Sequence, residues 1–128
     1  MQDKVTFEYA IIRVVPKVER EEFFNVGVIL FSKRKKFLGV KYAINPKKLD
    51  AFASDQITIN LLNAYLESWE LICNGEPAGG TIGKLELSDR FRWLAACRST
   101  IIQSSQTHSG LTDDPENELN AIFKKYVL

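Results

Sequence analysis

Histidine is nearly absent from this chain of 128 residues, with a single copy at His108, and cysteine is limited to Cys73 and Cys97. One histidine cannot form an HxxxH pair, and the cysteines lie too far apart for CxxC, so the spacings that hold zinc are missing. Two cysteines in an otherwise ordinary chain read as separate buried thiols rather than a disulfide. No apolar run approaches the roughly 20 residues that span a bilayer. The opening MQDKVTFEYA also lacks the basic-then-apolar layout of a signal peptide. These absences lead us to expect a cytoplasmic protein with no metal, no cofactor and no membrane association.

A large excess of either charge is missing too, for the formal net charge is +1. That balance hides a division. Residues 1–48 hold 11 lysines and arginines against 5 acids, and the remaining residues hold 6 against 11. If the basic part formed one face, it would attract a polyanion or an acidic partner. The densest basic run, Lys33 to Lys36, is better read as a solvated hairpin turn that discourages edge-to-edge association, because no aromatic residue interrupts it as a base-stacking platform would. Nucleic-acid binding is accordingly disfavoured.

What the chain does have is 45% hydrophobic residues, enough to build a core without disulfides. Phe7–Val15, Val26–Ser32 and Phe37–Ala43 are rich in aromatic and β-branched side chains and predict three strands, the last two joined as a hairpin. Asn45 before Pro46 predicts a short helix through Phe52. Apolar residues recur at helical spacing from Ile57 to Cys73, predicting the longest helix, stopped by Asn74 and Gly75. Gly75 to Gly83 reads as a flexible loop. Ser88 is expected to cap a helix running to Cys97, and Thr100–Ile102 to begin a strand that continues irregularly through the polar residues after it. Thr112 or Asp113 is expected to cap a terminal helix striped with Leu119, Ile122, Phe123 and Tyr126. The fold class implied is α+β, one domain over 1–128, with an antiparallel sheet of at least three strands. Helices should pack mainly on one face, covered by both the long and the terminal helix.

Chemistry-bearing residues concentrate between Asp89 and Pro115, where three arginines, the histidine, a run of hydroxyls and amides and an acidic pair stand together. Arg98 next to Ser99 and Thr100 offers a guanidinium fork and two hydroxyls to an anion, or pairs internally with Asp89, Asp113 or Asp114. Arg90 and Arg92, two apart on a helix, point away from each other. His108 is the one side chain whose ordinary pKa lies near neutrality; a nucleophile such as Ser99 or Ser105 could join it only if the fold brought them together. Asp113 and Asp114 are better placed to cap the last helix than to hold Mg²⁺.

Three blocks, YAIIRVVP at 9–16, EFFNVGVILF at 22–31 and RFRWLAACRSTIIQSSQTHSGLTDDP at 90–115, together resemble the bacterial domain-of-unknown-function family 3037. The resemblance covers nearly the whole chain. It implies an accessory or partner-binding role, because members are often encoded beside a HipA-like kinase, and it carries over no catalytic residue. Within these blocks Arg13, Glu22, Asn25, Arg98, Ser99, Thr100, Gln103, His108, Asp113 and Asp114 form a candidate polar cluster for binding. The leading expectation is a non-enzymatic partner-binding module, and the alternative is an enzyme acting on a phosphate-containing substrate through Arg98 and His108.

Overall fold

The computed structural model describes residues 4–15, 22–52, 59–75, 79–96 and 101–128. The expected strands form as β1 (Val5–Val14), β2 (Phe24–Ser32) and β3 (Phe37–Tyr42), in an antiparallel meander. Lys33 to Lys36 make the β2–β3 turn, all four exposed. Lys36 closes it at φ 52°, with its N–H donating to Lys33 O at 3.2 Å. The free edge of β1 is then shared by two later strands, β4 (Ile102–Ser104) beside Ile12–Val14 and β5 (His108–Thr112) beside Val5–Tyr9, both antiparallel. β1, first in sequence, is therefore central in the sheet.

Among the described residues five helices complete an α+β architecture: α1 (Pro46–Phe52), α2 (Ile59–Asn74), α3 (Gly80–Gly83), α4 (Leu87–Ala95) and α5 (Pro115–Tyr126). Asn45 Oδ1 accepts the Lys47 N–H at 2.9 Å at the start of α1, as the Asn-Pro pair predicts. α2 ends at Gly75, whose φ of 68° takes the chain out of the helix. Arg90 Nη1 donates to the carbonyls of Ile72 and Cys73, each at 2.9 Å, and so caps that end of α2. A Cβ at position 75 would meet this Nη1 at 2.8 Å, so glycine serves both the turn and the cap.

Three expectations change. The segment read as a flexible loop contains α3, which buries Gly83 and packs Ile82 against the core. α4 begins after Glu86, which makes no side-chain cap, so Ser88 lies inside the first turn and not at the cap. The largest difference concerns layers. α1 to α4 do cover one face, where Ala10, Ile12, Ile29 and Phe31 meet Leu49, Leu62, Leu66, Phe91 and Leu94. α5 covers the other, with Leu119, Ile122, Phe123 and Val127 on Phe7, Ile11, Val28 and Leu30. The reason lies in the pleat, which turns successive residues of β1 and β2 to opposite faces. Both sets are apolar, so both need a lid. Each fully buried Leu, Ile or Phe contributes roughly 1.5–3 kcal/mol, so leaving the second face bare would cost more than one helix can offset elsewhere.

Among the described residues no helix is long and apolar enough to cross a membrane. Cys73 is a free, buried thiol, and burial pushes its pKa up to about 12. Cys97, the other half of any disulfide, lies outside the described residues.

Candidate functional site

α5 packs over β2 and β3 and against Phe7 and Ile11 of β1, whereas Arg13 and Gln103 are half-buried and Gln106 and His108 are exposed. The strand register brings polar residues together. Arg13 stands opposite Asn25 on β2 and opposite Gln103 on β4, so the three form one cross-strand row. Four residues earlier on β1 and on the same face, Tyr9 pairs with His108 of β5, and their rings lie 5.3 Å apart.

Two irregularities shape this strip. The β1–β2 register shifts at Ile12/Arg13, where Val26 is the extra residue on β2; this turns Asn25 to the face of Arg13. On the other side, Ser105 keeps the ladder going: its N–H donates to Ile11 O and its Oγ accepts the Ile11 N–H, both at 2.8 Å. The same hydroxyl donates to Gln106 O at 2.9 Å. Gln106 and Thr107 then face the single residue Ala10 before pairing resumes at His108. Bulges recur beside binding sites because they re-aim side chains without ending the sheet.

The result is an open cavity of about 360 Å³ lined by Arg13, Gln103, Ser104, Ser105, Gln106 and His108. Among the described residues its lining holds a guanidinium, two carboxamides and an imidazole, and no carboxylate. The guanidinium carbon of Arg13 sits 4.0 Å from the centre of the half-exposed Phe23 ring, a cation–π contact. Ser104 and Ser105 are buried and committed to the fold, Ser104 Oγ donating to Leu94 O at 2.9 Å. This arrangement offers hydrogen-bond donors to an anionic or strongly accepting group.

A second cavity of about 310 Å³ adjoins the Tyr9–His108 pair and lies along α5, lined by apolar Phe7, Ala121 and Ile122 and by Tyr9, Lys125 and Tyr126 among others. Burial pushes the pKa of the Tyr9 hydroxyl up, and Tyr126 and Glu118 push it further in the same direction.

The model of the family described as Protein of unknown function (DUF3037) matches residues 9–127. The chain belongs to this family. No curated protein and no solved structure matches it. The three segments that first suggested the DUF3037 family contribute Arg13, Asn25 and Gln103 to one row, with His108 beside it. Asn25 is also structural, for its Nδ2 donates to Tyr126 O at 3.1 Å at the end of α5.

Other candidates are placed differently. Asp114, not Thr112 or Asp113, caps α5: its side chain accepts the Asn117 N–H at 3.2 Å, and Pro115 follows at the first helical position. Thr112 supports that cap from outside, its Oγ1 accepting the Asp114 N–H at 3.1 Å. Asp113 is exposed beside it, and Glu22 is exposed just before β2. Arg98, Ser99 and Thr100 lie outside the described residues. Arg90 and Arg92 do diverge. Arg90 caps α2, whereas Arg92 pairs with Glu8 of β1 through Nη1–Oε2 at 2.6 Å and Nη2–Oε1 at 3.0 Å. No group of three or more potential metal ligands occurs among the described residues.

Sequence reading missed Phe23, Gln106 and Tyr9 as members of the site. The hydrophobic pattern places Tyr9 in the first strand and leaves Phe23 just before the second. The strand register sets Tyr9 beside His108, and the approach to β2 sets Phe23 beside Arg13.

Proposed function

We propose that the protein is a non-enzymatic module that binds a protein partner, receiving an acidic group of that partner in the cavity of Arg13, Gln103, Gln106 and His108. The observation that carries this reading is the lining itself, rich in donors and without a carboxylate among the described residues. An acidic side chain presented there meets the Arg13 guanidinium beside the Phe23 ring, and a charge-assisted pair of this kind is about twice as strong as a neutral hydrogen bond. The neighbouring cavity along α5 gives an apolar residue of the same partner a place to lie. The resemblance to the family points to a HipA-like kinase as that partner.

The alternative, an enzyme acting on a phosphate-containing substrate through Arg98 and His108, has less in its favour. Its nucleophile candidate Ser105 is buried and spends its hydroxyl on Ile11 and Gln106. A general base also needs a group that orients its ring, and the contact shown for His108 is the face of Tyr9.

Co-expression of the full chain with a HipA-like kinase from the same genome tests the proposal. The pair should co-purify, and Arg13→Ala should weaken the complex about tenfold or more, equivalent to about 1.4 kcal/mol, while thermal unfolding stays close to wild type. Failure to associate, or an unweakened complex with Arg13→Ala, would refute it.

A further inference from the structure

Among the described residues the sheet has two outer edges, and they differ. One is formed by β4 and β5 and is interrupted by the bulge at Gln106–Thr107, so it offers no continuous ladder to an added strand. The other is the outer side of β3, six residues without interruption. Ala43 N–H donates to Val26 O at 2.8 Å. In an alternating antiparallel ladder this turns the backbone groups of Ala43, Lys41, Gly39 and Phe37 toward β2. The N–H and C=O groups of Leu38, Val40 and Tyr42 then point outward.

This edge lies at the floor of a groove. A cavity of about 360 Å³ runs along Phe37 to Lys41, with Glu70 and Asn74 of α2 on one wall and Glu116, Leu119 and Asn120 of α5 on the other. Each wall carries a carboxylate. The cation in the groove, Lys41, is drawn onto the α5 side, where its Nζ donates to Asn120 Oδ1 at 2.9 Å and lies 5.2 Å from the centre of the Phe123 ring. A lysine usually guards a strand edge by projecting charge along it, and here that charge is held to one side. The negative field of this end of α2 is also felt at Tyr42, where burial, then Glu70 and Glu67, push the hydroxyl pKa up.

We infer that the outer edge of β3 accepts an extended segment of a partner protein as an added strand, with two adjacent basic side chains set against Glu70 on one wall and Glu116 on the other. Adjacent residues of a strand point to opposite faces, so consecutive cations reach both carboxylates while the main chain pairs with Leu38, Val40 and Tyr42. A second copy of this chain does not fit. Paired strands approach to about 4.8 Å, and the helices flanking each recessed edge would meet before two copies of β3 came so close. This surface is separate from the Arg13 cavity and does not depend on what that cavity binds.

The test uses the full chain and the peptide acetyl-Val-Thr-Lys-Arg-Val-Thr-amide, with a counterpart in which both cations are glutamates. Titration with the basic peptide should slow hydrogen exchange at the Leu38, Val40 and Tyr42 amides. The double variant Glu70→Lys, Glu116→Lys, altered only at exposed positions, should bind it at least tenfold more weakly. Three outcomes would overturn the inference: unchanged exchange at those amides, equal binding of the acidic peptide, or protection that grows with protein concentration when no peptide is present.

Discussion

Replacing Ser105 by alanine removes one oxygen from the junction between β4 and the bulge. Ser105 is 5% exposed, and its Oγ both receives the Ile11 N–H and donates to Gln106 O. The N–H of Ser105 still reaches Ile11 O at 2.8 Å after the substitution, so the strand stays attached on one side. Ile11 is itself buried, so its N–H loses its partner where water does not easily replace it, at a cost of about 1–3 kcal/mol. Gln106 is exposed, so water can satisfy its carbonyl and that loss adds little. We expect about 2 kcal/mol in total, or roughly 8 °C in Tm for a chain of this length. Urea unfolding should show a lower midpoint with an unchanged slope, and the Ile11 amide should exchange faster. Ser104→Ala, which removes only a donor to Leu94 O, should cost less, about 0.5–1.5 kcal/mol. A Ser105→Ala loss below about 0.5 kcal/mol, with Ile11 still protected, would show that the side chain does not hold the bulge.

Asp114→Ala should lower stability by about 0.5–2 kcal/mol, whereas the neighbouring Asp113→Ala should stay within about 0.5 kcal/mol of wild type; equal effects in thermal unfolding would refute the assignment of the cap. Cys73, its pKa raised from 9.0 to about 12, stabilises the fold fully below pH 9. Above that value the unfolded thiol gives up its proton while the folded one keeps it, so stability should fall as pH rises toward 12, with a slope approaching about 1.4 kcal/mol per pH unit. Cys73→Ala should flatten this alkaline decline in urea titrations, and an unchanged pH dependence would contradict the buried-thiol account. Native Cys73 should also resist alkylation at pH 8 and react only on unfolding.

The elements were more legible than their arrangement. β-branched and aromatic residues located the first three strands within about two residues, and Asn45-Pro46 located α1, because these signals act locally. The terminal helix was equally clear from its stripe. Its face was not, since a stripe says that a helix is covered and not by which side of a sheet. The continuous apolar run Val26 to Phe31 was the signal that could have decided it, because a strand apolar on both sides is covered on both sides. Much the same holds for the site. The family resemblance singled out Arg13, Asn25, Gln103 and His108, but the pairing of Arg13 with Gln103 spans some 90 positions, and that of Arg13 with Asn25 depends on the register shift at Ile12/Arg13. Asp114 displaced Asp113 as the cap because Pro115 takes the first helical position and so sets the cap one residue before it.

The central place of β1 sets a schedule for folding. β1, β2 and β3 pair through short connections and can assemble as soon as they are made. The second edge of β1 waits for Ile102 to Thr112, roughly 60–70 residues of synthesis after Tyr42, which is on the order of 3–14 s at typical translation rates. During that interval the nascent sheet exposes an unpaired inner strand, and Phe7, Ile11, Val28 and Leu30 have no cover until α5, the last helix of the chain, arrives. Chain truncated before α5 should therefore depend on chaperones and aggregate without them, although most of its secondary structure is already encoded.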